Sequence, residues 1–454
     1  MIFSSLEFLF LYLPAAFLIY YMTPKKFRNI SLLALSFIFF AWGGGPVSLI
    51  FMIFATIINY CFGLWISKSQ EKNNFRAAKV FFVLAVSLNF VFLAFFKYFD
   101  IYPFFCISFY SLHALSYIAD IYSKSAKAQK NIASLGVYFA MFPKLMAGPV
   151  CRYSDFGEQI SQRKESVSMF ACGIRVFVCG LCKKVFFADT AKEIFAYTKA
   201  LPEGDIAVLG AWLGLVSFCL YIYFELSGYC DMAIGLGKMF GFDFPENFNY
   251  PYVSRSISEF CKKWHISLVD WFLAYIWPFH KNKKGSFGKY LNMVFLWVAI
   301  GFWPGPKWNY LIFAAYFWII LILEKRVVLN ILKKAPAFVG YIYSWVILLF
   351  GFLIFAFEDI PKGFSYLGRL FGFSAKGLID TGAVYDFLRY LPFLALAAIG
   401  CTPWPKRLFH WFLERTEKLR FIKITVSVIS ALLFLICAAF LVDSGSVSFL
   451  YFGF

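Results

Sequence analysis

The chain has 454 residues, of which 61% are hydrophobic and only 15% charged, with 62 phenylalanines. That is more apolar surface than one water-soluble core can bury, so the composition excludes a soluble globular protein and reads as a membrane protein. The formal charge of +18 would suggest a nucleic-acid ligand in a soluble chain, but here the lysines and arginines gather between apolar runs, where orientation across a bilayer accounts for them and no nucleic-acid partner is expected.

A spanning helix needs roughly 20 largely apolar residues. The first run, Leu6 to Tyr21, has no basic stretch before it and no small-residue cleavage site, so it is expected to stay as a helix. Lys25, Lys26 and Arg28 follow without an acid, which places that loop on the cytoplasmic side. Runs at Ile30 to Trp42 and Val47 to Ile66 are joined by Gly43-Gly44-Gly45-Pro46, a chain-turning break, and lead to Lys68, Lys72, Arg76 and Lys79. Val80 to Phe96 then leads outward and Phe104 to Tyr122 leads back to Lys124, Lys127 and Lys130. This alternation puts the N-terminus on the outer face.

The middle reads differently. Residues 132 to 165 and 226 to 290 mix apolar stretches with Pro143, Gly148, Pro149, Gly228, Pro245, Pro251 and many charges. A charge at the bilayer centre costs roughly 2.5 to 3.5 kcal/mol, so such segments must be buried in protein, line a wet cavity or lie at the interface. Ordinary spans return at Trp308 to Leu323, Ala337 to Phe357, Leu391 to Gly400 and Ile424 to Val442, and "PWPKRLFHWFLERTEKLR" from Pro403 reads as an amphipathic interfacial helix. The expected architecture is a single all-α polytopic domain over residues 1–454, with roughly ten to twelve spans plus re-entrant and interfacial helices. Its parts are N-terminal spans at 1–131, a core with re-entrant motifs at 132–310 and C-terminal spans at 311–454.

Most of the eleven cysteines, such as Cys61, Cys106, Cys172, Cys219 and Cys437, lie in apolar runs and behave as small hydrophobes. Cys179 and Cys182 have C-x-x-C spacing but no second pair, so no metal site is expected. Four histidines limit the choice of a general base. His113 reads as a buried, hydrogen-bonded histidine inside a span, His280 as a solvated loop residue before Lys281, and His410 as an interface anchor.

His265 stands in "SISEFCKKWHISLVDWF", where Glu259, Lys262, Lys263, Trp264, Ser267 and Asp270 crowd polar groups around an imidazole. If the stretch is one helix, Glu259, Lys262, Lys263 and Ser267 lie within about a turn and His265 shares a face with Cys261 and Lys262. An interfacial helix with snorkelling lysines explains the composition equally well. "FPKLMAGPVCRYSDF", 142 to 156, sets Lys144, Arg152 and Asp155 beside a Gly-Pro turn and suits a re-entrant loop. In 223 to 256, Glu225 and Asp231 end an apolar run, and Gly235 and Gly237 suit close helix packing better than nucleotide binding. "GFWPGPKWN", 301 to 309, breaks a helix among apolar residues.

These stretches, with "MIFSSLEFLFLYLP", "ISFYSLHALSYIADIY" and "FLYFGF", follow the order of motifs in the membrane-bound O-acyltransferase family, and the chain resembles in particular the branch of the alginate O-acetyltransferase membrane subunit. The resemblance implies a conical helical core around a tunnel and transfer of an acyl group from a cytoplasmic thioester, typically acetyl-CoA or an acyl carrier protein, as substrate rather than bound cofactor. In this branch the acceptor lies across the membrane, where a partner of the SGNH esterase or acetyltransferase type modifies a polysaccharide at the bacterial cytoplasmic membrane. Two family histidines matter: one in a W-H-I-S motif, matched by Trp264 to Ser267, and one in a G-L-W-H-G motif. In the second, Gly301, Phe302, Trp303 and Gly305 fit, but the histidine position holds Pro304, whose side chain accepts no proton. The branch's charged Arg-Asp pair further on is replaced by Leu273 and Ala274.

The resemblance therefore leaves His265 as the expected base, alone or with a recruited group such as His280. Trp264, Ser267, Trp303, Gly305, Lys144, Arg152, Asp155, Glu225, Asp231 and Glu259 are expected to line the substrate path. An active acyltransferase and an impaired subunit serving in assembly or export both fit, whereas a transporter or channel would explain the broken helices but not the ordered motifs.

Overall fold

A computed structural model of the chain describes residues 2–98, 106–146, 148–202, 204–276, 286–305, 307–416 and 420–444. The described residues form helices and connecting turns, with no strand among them. Among the described residues, six helices are long and apolar enough to cross a membrane: Lys25–Glu71, Phe75–Lys97, Val208–Met239, Ala337–Ala356, Thr381–Gly400 and Ile424–Asp443. Shorter apolar helices include Phe8–Met22, Ile132–Leu145, Ile266–Tyr275 and Met293–Phe302. The chain is thus an all-α, multi-pass membrane protein. The basic, aromatic segment after Pro403 is helical over Trp404–Thr416.

The expected break between the second and third apolar runs is present, inside the 44-residue helical stretch Arg28–Glu71. Helix of that length would run far beyond a hydrocarbon core of about 30 Å at about 1.5 Å per residue. At Gly45 the backbone takes φ 74° and ψ 171°, a region open to glycine and costly for any residue with a Cβ. Pro46 follows, so one helical hydrogen bond is missing where the direction changes.

The chain forms two compact units. One comprises Met1–Leu181, Tyr229–Glu246 and Ala438–Phe454. Its core is aromatic: Phe3, Phe8, Tyr12, Phe39 and Phe142 are all buried and pack at ring centroid distances of 5.1 to 6.2 Å. Tilted and edge-on pairs of this kind add to the area they bury. Gly173 and Gly235 form a close contact within this unit, since a Cβ on either would lie 2.6 Å from the other's carbonyl oxygen. The glycines of 235 to 237 therefore serve helix packing, as their spacing suggested.

The same unit holds a polar lock beside its first helices. Glu165 pairs with Arg28 at 3.0 Å and Arg163 at 3.6 Å, and the Tyr20 hydroxyl donates to Glu165 at 2.9 Å. Arg163 in turn donates to Tyr20 and to Asn29. Burial acts to raise the Glu165 carboxyl, but the Tyr20 and Arg28 hydrogen bonds outweigh it and hold the group below its ordinary value.

The second unit comprises Cys182–Gly228 and Asn247–Cys437. Within it Trp308–Leu323 packs against both Ser286–Phe302 and Ala337–Ala356. A buried aromatic wall of Tyr223, Tyr252, Phe260 and Phe352 surrounds Trp264, with Phe260 stacked on it at 5.2 Å and Phe352 at 5.5 Å. Cys182 faces Cys437 with sulfurs 3.6 Å apart.

Candidate functional site

The stretch around His265 is not one helix, which corrects the single-helix spacing that set Glu259, Lys262, Lys263 and Ser267 within about a turn and His265 on a face with Cys261 and Lys262. Ile257–Cys261 is a short helix, the chain turns through Lys262, Lys263 and Trp264, and Ile266–Tyr275 begins a second helix. His265 is the junction, with φ 50° and ψ 49° in the left-handed region. A residue with a Cβ holds that conformation only where its surroundings impose it. The side chain is buried, with His265 5% exposed.

What imposes it is a set of hydrogen bonds on either side. The Asn247 carbonyl accepts from the Ile266 amide at 2.9 Å, and the Asn247 side-chain oxygen accepts from the Ser267 amide at 3.0 Å and its hydroxyl at 2.9 Å. One segment further, the Asn249 amide donates to the Lys263 carbonyl at 3.0 Å. Residues 247–249 thus clamp the chain immediately before and after His265. Asn247 is buried, so these bonds form away from competing water.

The preceding helix is anchored in the same manner. Glu324, fully buried, accepts from the Ile257 and Ser258 amides at 2.7 and 2.8 Å. Ser256 caps the helix by accepting from Glu259 at 3.1 Å. A carboxylate at a helix start meets donors that otherwise have no partner. Asn247 and Glu324 are the positioning groups that the motif reading passed over. Glu324 ends a run that looked like an ordinary span, and Asn247 lies among prolines and aromatics with no local pattern.

Around the imidazole the walls are aromatic. Trp303 meets His265 edge-on at 5.8 Å and Phe248 lies at 5.8 Å on another side. This turn is outside the helices long enough to span, and burial pushes the imidazole down to about 4. The ring is therefore neutral and proton-accepting through the physiological range. Its Nδ1 is buried and has no hydrogen-bond partner among the described residues. A buried imidazole nitrogen with no partner among the described residues is suited to take a proton from a bound reactant.

Trp264, Ser267, Trp303 and His265 are thus brought together, and Trp303-Pro304-Gly305 forms the turn that follows Ser286–Phe302. Pro304 and Gly305 are buried. The helix break expected in this stretch is real, ending at Phe302 and resuming at Trp308. Glu259 stands at the rim, its carboxylate accepting from Lys263 at 2.6 Å and from the Arg255 amide at 2.9 Å. Those contacts outweigh the effect of burial and hold its carboxyl below the ordinary value. Glu225 is buried in Val208–Met239 and bound to Lys184 at 2.8 Å, with Asp189 on the same ammonium at 2.7 Å.

Lys144, Arg152, Asp155 and Asp231 belong to the first unit. The buried Lys144 ammonium donates to the Tyr138 carbonyl and lies over the Tyr138 and Phe156 rings. Arg152 and Asp155 pair at 2.7 Å on the surface, at the start of a helix whose first amides are received by Ser116 and Asp120. Asp231 is half-buried on Val208–Met239. His113 is buried and hydrogen-bonded to the Phe109 carbonyl at 2.8 Å, as its position in an apolar run predicted. His280 lies outside the described residues, and His410 is on the helix Trp404–Thr416 with its side chain outside them.

A family model for MBOAT, the membrane-bound O-acyltransferase family, matches residues 107–366. The chain is 35% identical to the probable alginate O-acetylase AlgI of Pseudomonas aeruginosa, over 88% of its own length and 81% of that protein's. It is 34% identical to the protein of the same name from Azotobacter vinelandii, over 84% and 80%. To the peptidoglycan O-acetyltransferase of Helicobacter pylori it is 26% identical, over 76% and 74%. The matched region spans the buried His265 turn and the Trp303 loop, and the chain belongs to the membrane-bound O-acyltransferase family.

Proposed function

We propose that this protein is a polysaccharide O-acetyltransferase of the bacterial cytoplasmic membrane that takes its acetyl group from acetyl-CoA on the cytoplasmic side and delivers it toward an extracytoplasmic polymer. The observation that carries this reading is His265: a buried, neutral imidazole with an open Nδ1, held in a left-handed junction by Asn247. In the reaction, His265 accepts the proton of the acceptor hydroxyl as its oxygen attacks the thioester carbonyl. The carbon–sulfur bond then breaks, the coenzyme A thiolate leaves, and the proton passes from the imidazole to that sulfur. Trp303 and Phe248 exclude water that would hydrolyse the thioester. An extracytoplasmic partner of the SGNH type completes delivery to the polymer. The relatives named for alginate and peptidoglycan acetylation support a polysaccharide acceptor.

The test is acetyl transfer from radiolabelled acetyl-CoA by the purified protein in lipid nanodiscs, with loss of O-acetyl groups from the polymer in a deletion strain as the cellular counterpart. Transfer that disappears in His265→Ala supports the reading. Transfer no greater than that of the variant overturns it.

A second reading rests on Pro304, buried where the family's other histidine is expected. On it the protein has lost chemistry and serves as a binding or assembly subunit in polymer modification or export. A gain of transfer in Pro304→His over an inactive parent would favour this reading, and turnover by the unaltered protein would exclude it.

A further inference from the structure

On the far side of the His265 turn lies an open cleft of about 590 Å³, within the roughly 300–1,000 Å³ of small-molecule sites. Its lining includes Asn249, Tyr250 and Lys263 from the clamp and turn, and Lys406, Arg407 and Trp411 from the helix Trp404–Thr416. Lys406 and Arg407 are exposed, and Trp411 is half exposed. Lys263 is paired with Glu259, whose carboxylate also accepts from the Arg255 amide. Three cations thus converge on one hollow with an aromatic surface beside them. Ammonium and guanidinium groups at such spacing recognise phosphate, Arg by its forked donors and Lys as a point charge, while Trp and Tyr offer faces to a stacked ring.

The link to the reacting centre is covalent and short. Lys263 and His265 are two residues apart on a turn pinned at both ends by Asn247 and Asn249, so one segment carries both a lysine that lines the cleft and the buried imidazole. We propose that the cleft seats the phosphate groups of the acyl donor, with the thioester arm reaching past the turn to His265. This rests on the reading of the donor as acetyl-CoA and adds where its charged end is held. A bare acyl thioester without phosphates offers no anion to these cations.

The test measures equilibrium binding of free coenzyme A to the full-length protein in zwitterionic nanodiscs, beside pantetheine, which lacks the phosphates, and inorganic pyrophosphate as competitor. Coenzyme A should bind, pyrophosphate should compete, and pantetheine should bind at least tenfold more weakly. The Lys406→Gln/Arg407→Gln variant should lose about tenfold in coenzyme A affinity and none in pantetheine affinity, and added salt should shrink the difference. The charge-reversed Lys406→Glu/Arg407→Glu variant should lose more, with an unchanged melting temperature showing that the fold persists. Coenzyme A affinity unaltered in both variants overturns the proposal. So does displacement of bound coenzyme A from wild type, but not from the variants, by nanodiscs rich in anionic phospholipid without any effect of pyrophosphate, which would assign the cations to a lipid headgroup. Failure of the acetyltransferase reading is seen separately: cation-dependent coenzyme A binding with no acetyl transfer leaves the cleft assigned and removes the chemistry.

Discussion

A single oxygen of Asn247 receives both hydrogen-bonding groups of Ser267, the backbone amide at 3.0 Å and the hydroxyl at 2.9 Å. Because Ser267 is two residues from His265, whose backbone is left-handed, this contact sets the direction of the imidazole. Replacing Asn247 with Ala leaves two buried donors without an acceptor, a loss of about 1–3 kcal/mol each if nothing relaxes. On the proposed reading, in which Asn247 positions the base, the expected result in acetyl-transfer kinetics is a fall in kcat of about tenfold or more with KM changed by less than about twofold. Asn247→Asp keeps the acceptor and should recover part of kcat, which a purely structural role would not separate from KM.

Burial holds the His265 imidazole down to about 4, and the sign of the pH dependence follows. The proton-accepting form is present above that value and lost as pH falls through it, so kcat/KM should be level from about pH 6 to 8 as far as this group is concerned and should fall only toward pH 4. A free histidine would give an acid limb near 6.5. His265→Ala should lower transfer by about 10²- to 10⁴-fold, the usual scale for a general base. A pH profile of the purified protein checks the first expectation, and turnover of the variant checks the second.

Much of this arrangement was legible in the residues, and the parts that were not share a cause. Gly45-Pro46 and Pro304-Gly305 announced breaks because glycine and proline act locally on the backbone, and the breaks are there. His113 announced a buried role because it lies inside a largely apolar helix of sixteen residues, Ile107–Tyr122. The shape of the His265 turn was hidden. Helical spacing set Glu259, Lys262, Lys263 and Ser267 within about a turn of one helix, whereas the left-handed junction is imposed through Ser267 from Asn247, 20 residues before that serine, and the preceding helix is capped by Glu324, 67 residues after Ile257. Side chains that receive backbone amides leave no periodic trace, because any residue can supply the amide. The lysine and arginine pattern told of orientation and not of the cleft, whose lining brings together residues as far apart in sequence as Lys263 and Arg407.

The Glu165 lock gives an expectation for stability in the first unit. Its carboxyl lies below the ordinary glutamate value because Tyr20 and Arg28 favour the ionised form more than burial opposes it. A depressed value means that the stabilisation is fully present above the unfolded-state value near 4.3 and is lost as pH falls through the lower, folded-state one. Thermal melts should therefore show wild type losing stability below about pH 4 and Glu165→Gln losing less over that window. At pH 7 the variant should be less stable by about 1–3 kcal/mol, since Arg28 and Arg163 keep their charge without their partner.

Glu324 provides the sharpest separation of anchoring from chemistry. Its carboxylate is fully buried and receives two amides at the start of Ile257–Cys261, from Ile257 and Ser258, and Tyr343 also bonds to it. Glu324→Ala removes the acceptor from all of them and should destabilise the protein by about 1–3 kcal/mol for each buried donor left without one. Glu324→Gln retains one accepting oxygen but turns an amide donor toward the other N–H, so it should fall between the two. Hydrogen exchange locates the effect: protection of Ile257 and Ser258 should drop first, and that of Ile266 and Ser267, held by Asn247, should outlast it. Equal loss at both places would mean that the two helices flanking His265 are held as one unit and that Glu324 and Asn247 do not act independently on the turn between them.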